Sequence, residues 1–256
     1  MLTKAGDVLA VLAEHGPLGA AEIAERVGEP RSSVYRFLRT LRQLEYVESS
    51  RRGRFELGMR LFELGASVAS RFSIRQAARE PMDHIYEETE GTVLLFVRRG
   101  DAAVCVERVD GRWVRLEIVD VGETLPLHTG ASPRVLLAFA EPKEIDEYLD
   151  RARLDQHTER SPSTPRDVRA LLEEIRATGF AISDQDLVPG VASIGAPIRD
   201  HEGRVVAAVS YSGLTATLLG SERERSIQLA VDAAREASRR LGWQPDPDGS
   251  VAAAPA

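Results

Sequence analysis

The chain has one cysteine, Cys105, among its 256 residues. A single thiol closes no internal disulfide, and a zinc site built on paired cysteines is excluded. Long apolar runs are also missing: nothing approaches the roughly 18 residues that a membrane-spanning helix requires. The start, MLTKAGDVLAVLAEHG, carries charges inside its apolar stretch and has no small-residue cleavage site, so it does not read as a signal peptide. A cytoplasmic protein is the expectation. Catalytic signatures are missing too, with no Gly-x-Ser-x-Gly elbow, His-Glu-x-x-His pair, phosphate-binding loop or Gly-x-Gly-x-x-Gly fingerprint. His128, Ser132 and Asp184 show no spacing that supports a triad. The expectation is a protein that is not an enzyme and needs no cofactor or metal.

What is present is an uneven distribution of charge. The net charge is −7, which argues against nucleic acid until it is divided along the chain. Residues 1–72 hold 11 Lys/Arg against 9 Asp/Glu, and the remainder 22 against 31. From Arg31 to Arg54 there are seven arginines and two glutamates, Glu45 and Glu48. Positive charge gathered in one short segment serves a phosphate backbone even in an acidic protein.

That segment has a recognisable pattern. Residues 4–15 place Val8, Leu9, Val11 and Leu12 mostly on one helical face and end at Gly16-Pro17. Residues 20–27 repeat the spacing with Ala21, Ile23, Ala24 and Val27 and stop at Gly28, a residue suited to a helix C-cap. After Pro30, Val34, Phe37, Leu38 and Leu41 fall at i, i+3, i+4 and i+7 and face inward. Two short helices, a glycine turn and an arginine-rich third helix read as a helix-turn-helix. Val47 and Phe55 flank a polar tip holding Gly53, the pattern of a hairpin wing. Leu61, Leu64 and Val68 then recur at helical spacing over 59–72, a connecting helix whose apolar stripe meets a partner subunit or the adjacent domain.

Beyond residue 74 the pattern changes to helix 75–89, short strands at 92–97, 102–109 and 113–118, helices near 134–140, 144–149 and 165–178, strands at 191–198 and 204–211, and a last helix at 222–241. Hairpins interspersed with helices predict an α+β domain with a mostly antiparallel sheet. The expected division is a DNA-binding domain at 1–57, a linker helix at 58–73, a sensor domain at 74–242 and a disordered tail at 243–256, rich in Pro, Asp, Gly and Ala.

Two constellations carry chemistry. On the third helix, Ser32, Arg36, Arg39 and Gln43 oppose the apolar face, with Ser33 and Thr40 at its margins and Arg31 at its start, where such helices meet base edges. Arginine offers two donors to guanine, and serine and threonine suit phosphates or bases. Arg51, Arg52 and Arg54 on the wing would reach flanking phosphates or a minor groove. The second constellation is Gly130-Ala131-Ser132-Pro133 ahead of an apolar helix, with Ser132 suited to the N-cap and Pro133 to the first helical position. Unpaired amides there attract an anion such as a carboxylate, although an ordinary capped helix explains the same residues. Ser210 and Ser212 share one face of a strand, as pocket lining or as a strand-end turn, and Ser193 is a similar small polar residue in another strand. The stretch 182–186 reads as a loop over such a pocket, or as a solvated turn.

In this order the pieces resemble the isocitrate lyase regulator (IclR) family over residues 4–242. The segments that carry the resemblance are AEIAERVGEPRSSVYRFLRTLRQLEYV, LPLHTGASPRVLLAF, GFAISDQDLVPGVASIGAPI and GRVVAAVSYSG. It implies a winged helix-turn-helix, a dimerising linker helix and an effector domain related to GAF domains. It also implies binding of double-stranded operator DNA as a homodimer or tetramer, and a small-molecule effector, often a carboxylic acid. The effector residues it implies are Gly130, Ala131, Ser132, Ser183, Asp184, Ser193, Ser210 and Ser212. Many relatives have Gly-Lys where this chain has Pro133-Arg134, which removes one backbone donor. Some carry an aspartate and a cysteine where Ser183 and Ser193 stand here. Both differences bear on the ligand's identity and charge.

Overall fold

The computed structural model describes residues 2–50, 53–69, 73–112 and 119–244, with the backbone alone at 2, 66–69 and 73. Arg51, Arg52, the expected strand 113–118, the end of the linker helix and the tail from 245 lie outside the described residues. The chain divides into two compact units, residues 1–72 and 73–256.

The first unit runs α1 (Leu2–His15), β1 (Leu18–Gly19), α2 (Ala20–Val27), α3 (Arg31–Gln43), β2 (Val47–Ser49), β3 (Arg54–Leu57) and α4 (Met59–Ala69). Val8, Leu12, Ile23, Val34, Leu38 and Leu41 meet in one buried cluster. Each such aliphatic side chain contributes about 1.5–3 kcal/mol when fully buried. Gly28 ends α2 in the left-handed conformation at φ 67°, which costs a glycine nothing sterically. Three residues later α3 begins, with the Pro30 carbonyl accepting from the amides of Ser33 and Val34. The wing is a three-stranded sheet, because β3 pairs with β1 as well as with β2. At Gly58 a methyl group would stand 2.2 Å from the Glu45 carbonyl oxygen, so only glycine lets the chain leave the wing there. The Met59 amide then donates to Glu48 Oε1 at 3.0 Å at the start of α4.

The second unit contains α5 (Ser73–Thr89), β4 (Thr92–Arg99), β5 (Ala102–Val109), β6 (Thr124–Pro126), α6 (Ala131–Ala138), α7 (Pro142–Arg151), α8 (Pro165–Thr178), β7 (Ala181–Asp184), β8 (Val191–Arg199), β9 (Val205–Leu214) and α9 (Arg223–Arg240). Among the described residues its six strands form one antiparallel sheet in the order β6-β5-β4-β9-β8-β7. Strand alternation sorts the side chains between two layers. Val93, Leu95, Ile194, Val209 and Tyr211 pack with Met82 and Ile85 of α5 and the small face of α9, Ala230, Ala233, Ala234 and Ala237. Leu94, Phe96, Cys105, Ala181 and Ala208 pack with α6, α7 and α8 through Val135, Leu149, Leu172 and Ile175.

Two local expectations are corrected. Residues 182–184, part of the stretch 182–186 read as a loop or turn, lie in strand β7 (Ala181–Asp184), paired with β8 through Ser183 opposite Ser193. Cross-strand pairing overrides a composition that by itself favours a turn. The cap of α6 is Gly130, at φ 66°, not Ser132. With the helix starting at Ala131, Ser132 is its second residue and Pro133 its third, so the Ser132 side chain is not used as a cap.

Candidate functional site

On α3 the four inward residues Val34, Phe37, Leu38 and Leu41 leave Arg31, Ser32, Arg36, Arg39, Thr40 and Gln43 exposed and Ser33 half-buried. Among the described residues no carboxylate lies within ion-pairing distance of Arg31, Arg36, Arg39 or Arg42. Four guanidiniums thus stand on one helix without a counter-charge, the electrostatic requirement for meeting phosphates. Thr40 spends its hydroxyl proton on the Arg36 carbonyl at 3.2 Å. Arg54 differs from the α3 arginines: its Nη1 donates to the Pro17 carbonyl at 2.7 Å and its Nη2 lies 3.5 Å from Glu22 Oε1. It ties β3 to the connection between α1 and α2.

Two residues of this face escaped the sequence reading. Tyr35 is 58% exposed and, with Arg39, Arg42, Gln43 and Phe55, lines a groove of about 390 Å³ between α3 and the wing strand. Helical spacing puts Arg31, Tyr35 and Arg42 on the wing-side flank of α3. A wheel drawn over 31–43 carries that signal, but an exposed tyrosine next to an apolar face reads as core.

In the second unit, Ser193 of β8 stands opposite Ser212 of β9, and Gly195 opposite Ser210. These residues share the α6 side of the sheet with Ala208. A methyl group on Gly195 would lie 3.0 Å from the Ser132 amide nitrogen and 3.1 Å from the Ala131 carbonyl carbon. The start of α6 therefore faces the serine patch. Its free donors are the amides of Ala131 and Ser132, because Pro133 has none and the first turn lacks intrahelical partners. Ser132 is 0% exposed, Ser210 4% and Ser212 3%. The Ser132 hydroxyl has no partner, and among the described residues no hydrogen bond uses the hydroxyls of Ser193, Ser210 or Ser212. A buried hydroxyl left unpaired is costly, and that of Ser132 sits in the first turn of α6, at the positive end of the helix.

A second buried polar group adjoins this cup. Arg134 and Asp186, 2% and 4% exposed, form an ion pair with Nη2 to Oδ2 at 2.7 Å. Burial pulls the Arg134 guanidinium downward in pKa, and Asp186 opposes that shift. Arg134 also donates to the carbonyls of Gly130 at 2.8 Å and Ile182 at 3.0 Å. Ser183 donates to Asp186 Oδ1, and Ser161 donates to the Asp186 carbonyl at 2.6 Å. Asp184, the acid expected in the site, is paired with Arg160 on the other side of β7. Gln185, at φ 59°, breaks the strand alternation between the two aspartates, so Asp186 turns to the side of Ser183 and Arg134.

His128 is 1% exposed, with Nδ1 2.7 Å from Tyr148 Oη and Nε2 without a partner. Burial first, then His157, lowers its pKa. Cys105 is fully buried, and burial pushes its thiol up to about 11. Among the described residues no group of three or more His, Cys, Asp or Glu is placed to hold a metal, and no helix is long and apolar enough to cross a membrane.

Two protein-family models match the chain: residues 1–51 match the IclR helix-turn-helix domain, and residues 66–239 match the bacterial transcriptional regulator IclR C-terminal domain. The chain is 31% identical over 233 residues to the HTH-type transcriptional regulator KipR of Bacillus subtilis, covering 90% of this chain and 92% of that one. It is 31% identical to the Pca regulon regulatory protein of Pseudomonas putida, over 88% and 77% of the two chains. Among solved structures it is similar to the IclR protein of Thermotoga maritima, at 31% identity and TM-score 0.75 over 94% and 98% of the two chains. An IclR homolog of Microbacterium hydrocarbonoxydans, solved with 4-hydroxybenzoate, shares the fold at TM-score 0.84, 24% identity and coverage of 94% and 98%.

Proposed function

This chain belongs to the IclR family of bacterial transcriptional regulators, and from that premise we propose that it switches its grip on operator DNA when a small carboxylate binds at the start of α6. The amides of Ala131 and Ser132 would take the carboxylate, and the hydroxyls of Ser132, Ser193, Ser210 and Ser212 the rest of the ligand. One observation carries this reading: the buried, unpartnered hydroxyl of Ser132 at a helix N-terminus that packs on Gly195 beside Ser210. The carboxylate in the Microbacterium structure agrees with that chemistry.

In this reading the protein is not an enzyme and acts in the cytoplasm, as befits relatives named as transcriptional regulators. It works as a homodimer or dimer of dimers, with Met59 and Phe62 of α4, 64% and 71% exposed, supplying an apolar surface for pairing. Two copies of α3 enter successive major grooves of a roughly palindromic site, with Arg31, Ser32, Arg36, Arg39 and Gln43 toward the bases. The ligand acts only through unequal affinity for two arrangements of the reading heads.

Thermal melting against a panel of carboxylic acids tests the ligand half. A true ligand at about 100 times its Kd adds roughly 2.7 kcal/mol of stability, and Ser210→Ala is expected to remove most of that gain while DNA affinity stays intact. Absence of stabilisation by every acid tried contradicts the proposal.

A further inference from the structure

The clamp beside the cup fixes the direction of one proton, and with it a feature of the ligand. A serine hydroxyl has one proton and two lone pairs. Ser183 spends its proton on Asp186 Oδ1. That carboxylate is buried in an ion pair with Arg134 at 2.7 Å, an arrangement in which its oxygens only accept. Rotating Ser183 away would leave a buried carboxylate oxygen without its donor. The clamp is itself held in place, Arg134 by the carbonyls of Gly130 and Ile182 and the backbone of Asp186 by Ser161. Ser183 therefore offers a ligand lone pairs and no proton. It stands opposite Ser193, which stands opposite Ser212, so it forms the far end of the same hydroxyl row.

From this polarity we propose that the effector is a hydroxycarboxylic acid, its carboxylate on the α6 amides and its hydroxyl donating to Ser183. The inference rests on the carboxylate reading of the cup and adds the second functional group. A keto acid of the same skeleton sets its carbonyl oxygen against the lone pairs of Ser183, and the unsubstituted acid leaves Ser183 without a donor. Both bind more weakly. Asp186 is the specificity-determining residue behind this choice. In Asp186→Asn the amide oxygen stays with Arg134 and the amide NH2 turns to Ser183, whose proton is released toward the cup.

Calorimetric titration of the full-length protein with matched acids tests this: 3-hydroxybutyrate, acetoacetate and butyrate; malate, oxaloacetate and succinate; 4-hydroxycyclohexanecarboxylate, 4-oxocyclohexanecarboxylate and cyclohexanecarboxylate. In at least one set the hydroxy acid is expected to bind about tenfold or more tighter than both its partners. Asp186→Asn, checked for native melting, is expected to erase or reverse the hydroxy-over-keto ratio, and Ser183→Ala to bring it near one. Keto or unsubstituted acids binding as tightly as the hydroxy acid in the wild-type protein overturn the inference and leave the carboxylate reading standing. Binding by no acid of any set overturns both. A ratio unchanged in a folded Asp186→Asn protein overturns the role given to the clamp.

Discussion

Ser132 is a hydroxyl placed where the folded chain gains nothing from it. It is fully buried and unpartnered, so Ser132→Ala is expected to leave the ligand-free protein as stable or raise its stability by about 1 kcal/mol, while reducing stabilisation by the effector. Differential scanning calorimetry with and without ligand reads both signs, and a large loss of ligand-free stability contradicts the assignment. His128 supplies a pH dependence. Its folded pKa lies below the unfolded value of about 6.5, so the unfolded chain binds more protons in that window and stability rises with pH. The contribution is present above about pH 6.5 and is lost on acidification. Melting temperature between pH 7.5 and 5.5 is expected to fall more steeply in the wild-type protein than in His128→Gln, and equal slopes contradict this. Cys105, fully buried with its thiol near 11, is expected to ignore Ellman's reagent at pH 8 until guanidinium unfolds the protein.

At the scale of elements, the arginines of α3 and the wing separate into two kinds of work. Arg36→Ala is expected to weaken binding to a specific duplex by about 1–3 kcal/mol without moving the melting point. Arg54→Ala is expected to lower stability by about 1 kcal/mol in urea titrations, because it breaks the bond to Pro17. Interchanged effects contradict the placement of these side chains. Gly195→Ala puts a methyl group 3.0 Å from the Ser132 amide nitrogen and 3.1 Å from the Ala131 carbonyl carbon, so it is expected to push the start of α6 off the sheet, lowering the melting point and weakening effector binding together. The long periodic elements were legible in the sequence. The bounds of α2 and α8 follow from their apolar spacing and their closing glycines, Gly28 and Gly179. Strand β1, two residues long, carries no periodic signal at all. The edge strand β7 exists through its pairing with β8, and the approach of Asp186 to Ser183 follows the left-handed backbone of Gln185. Neither is a property of local sequence.

At the scale of the whole molecule, division of labour follows the division of charge. The acidic excess lies beyond residue 72, in the unit that holds the cup, and the uncompensated arginines lie on α3 of the first unit. The fold class, the helix-turn-helix and the serine patch were legible because each rests on alternation or helical spacing, which survive in any context. The clamp of Arg134, Asp186 and Ser183 was not, since tertiary packing joins Arg134 to residues 49 and 52 positions further along the chain. The most direct measurement is fluorescence anisotropy of a duplex selected from a random pool, titrated over a series of salt concentrations with wild-type protein and with an Arg36→Ala, Arg39→Ala double variant. Expected is a loss of at least about tenfold in affinity and a shallower salt dependence in the folded variant. Equal affinity and equal salt slope would show that the exposed face of α3 does not meet DNA.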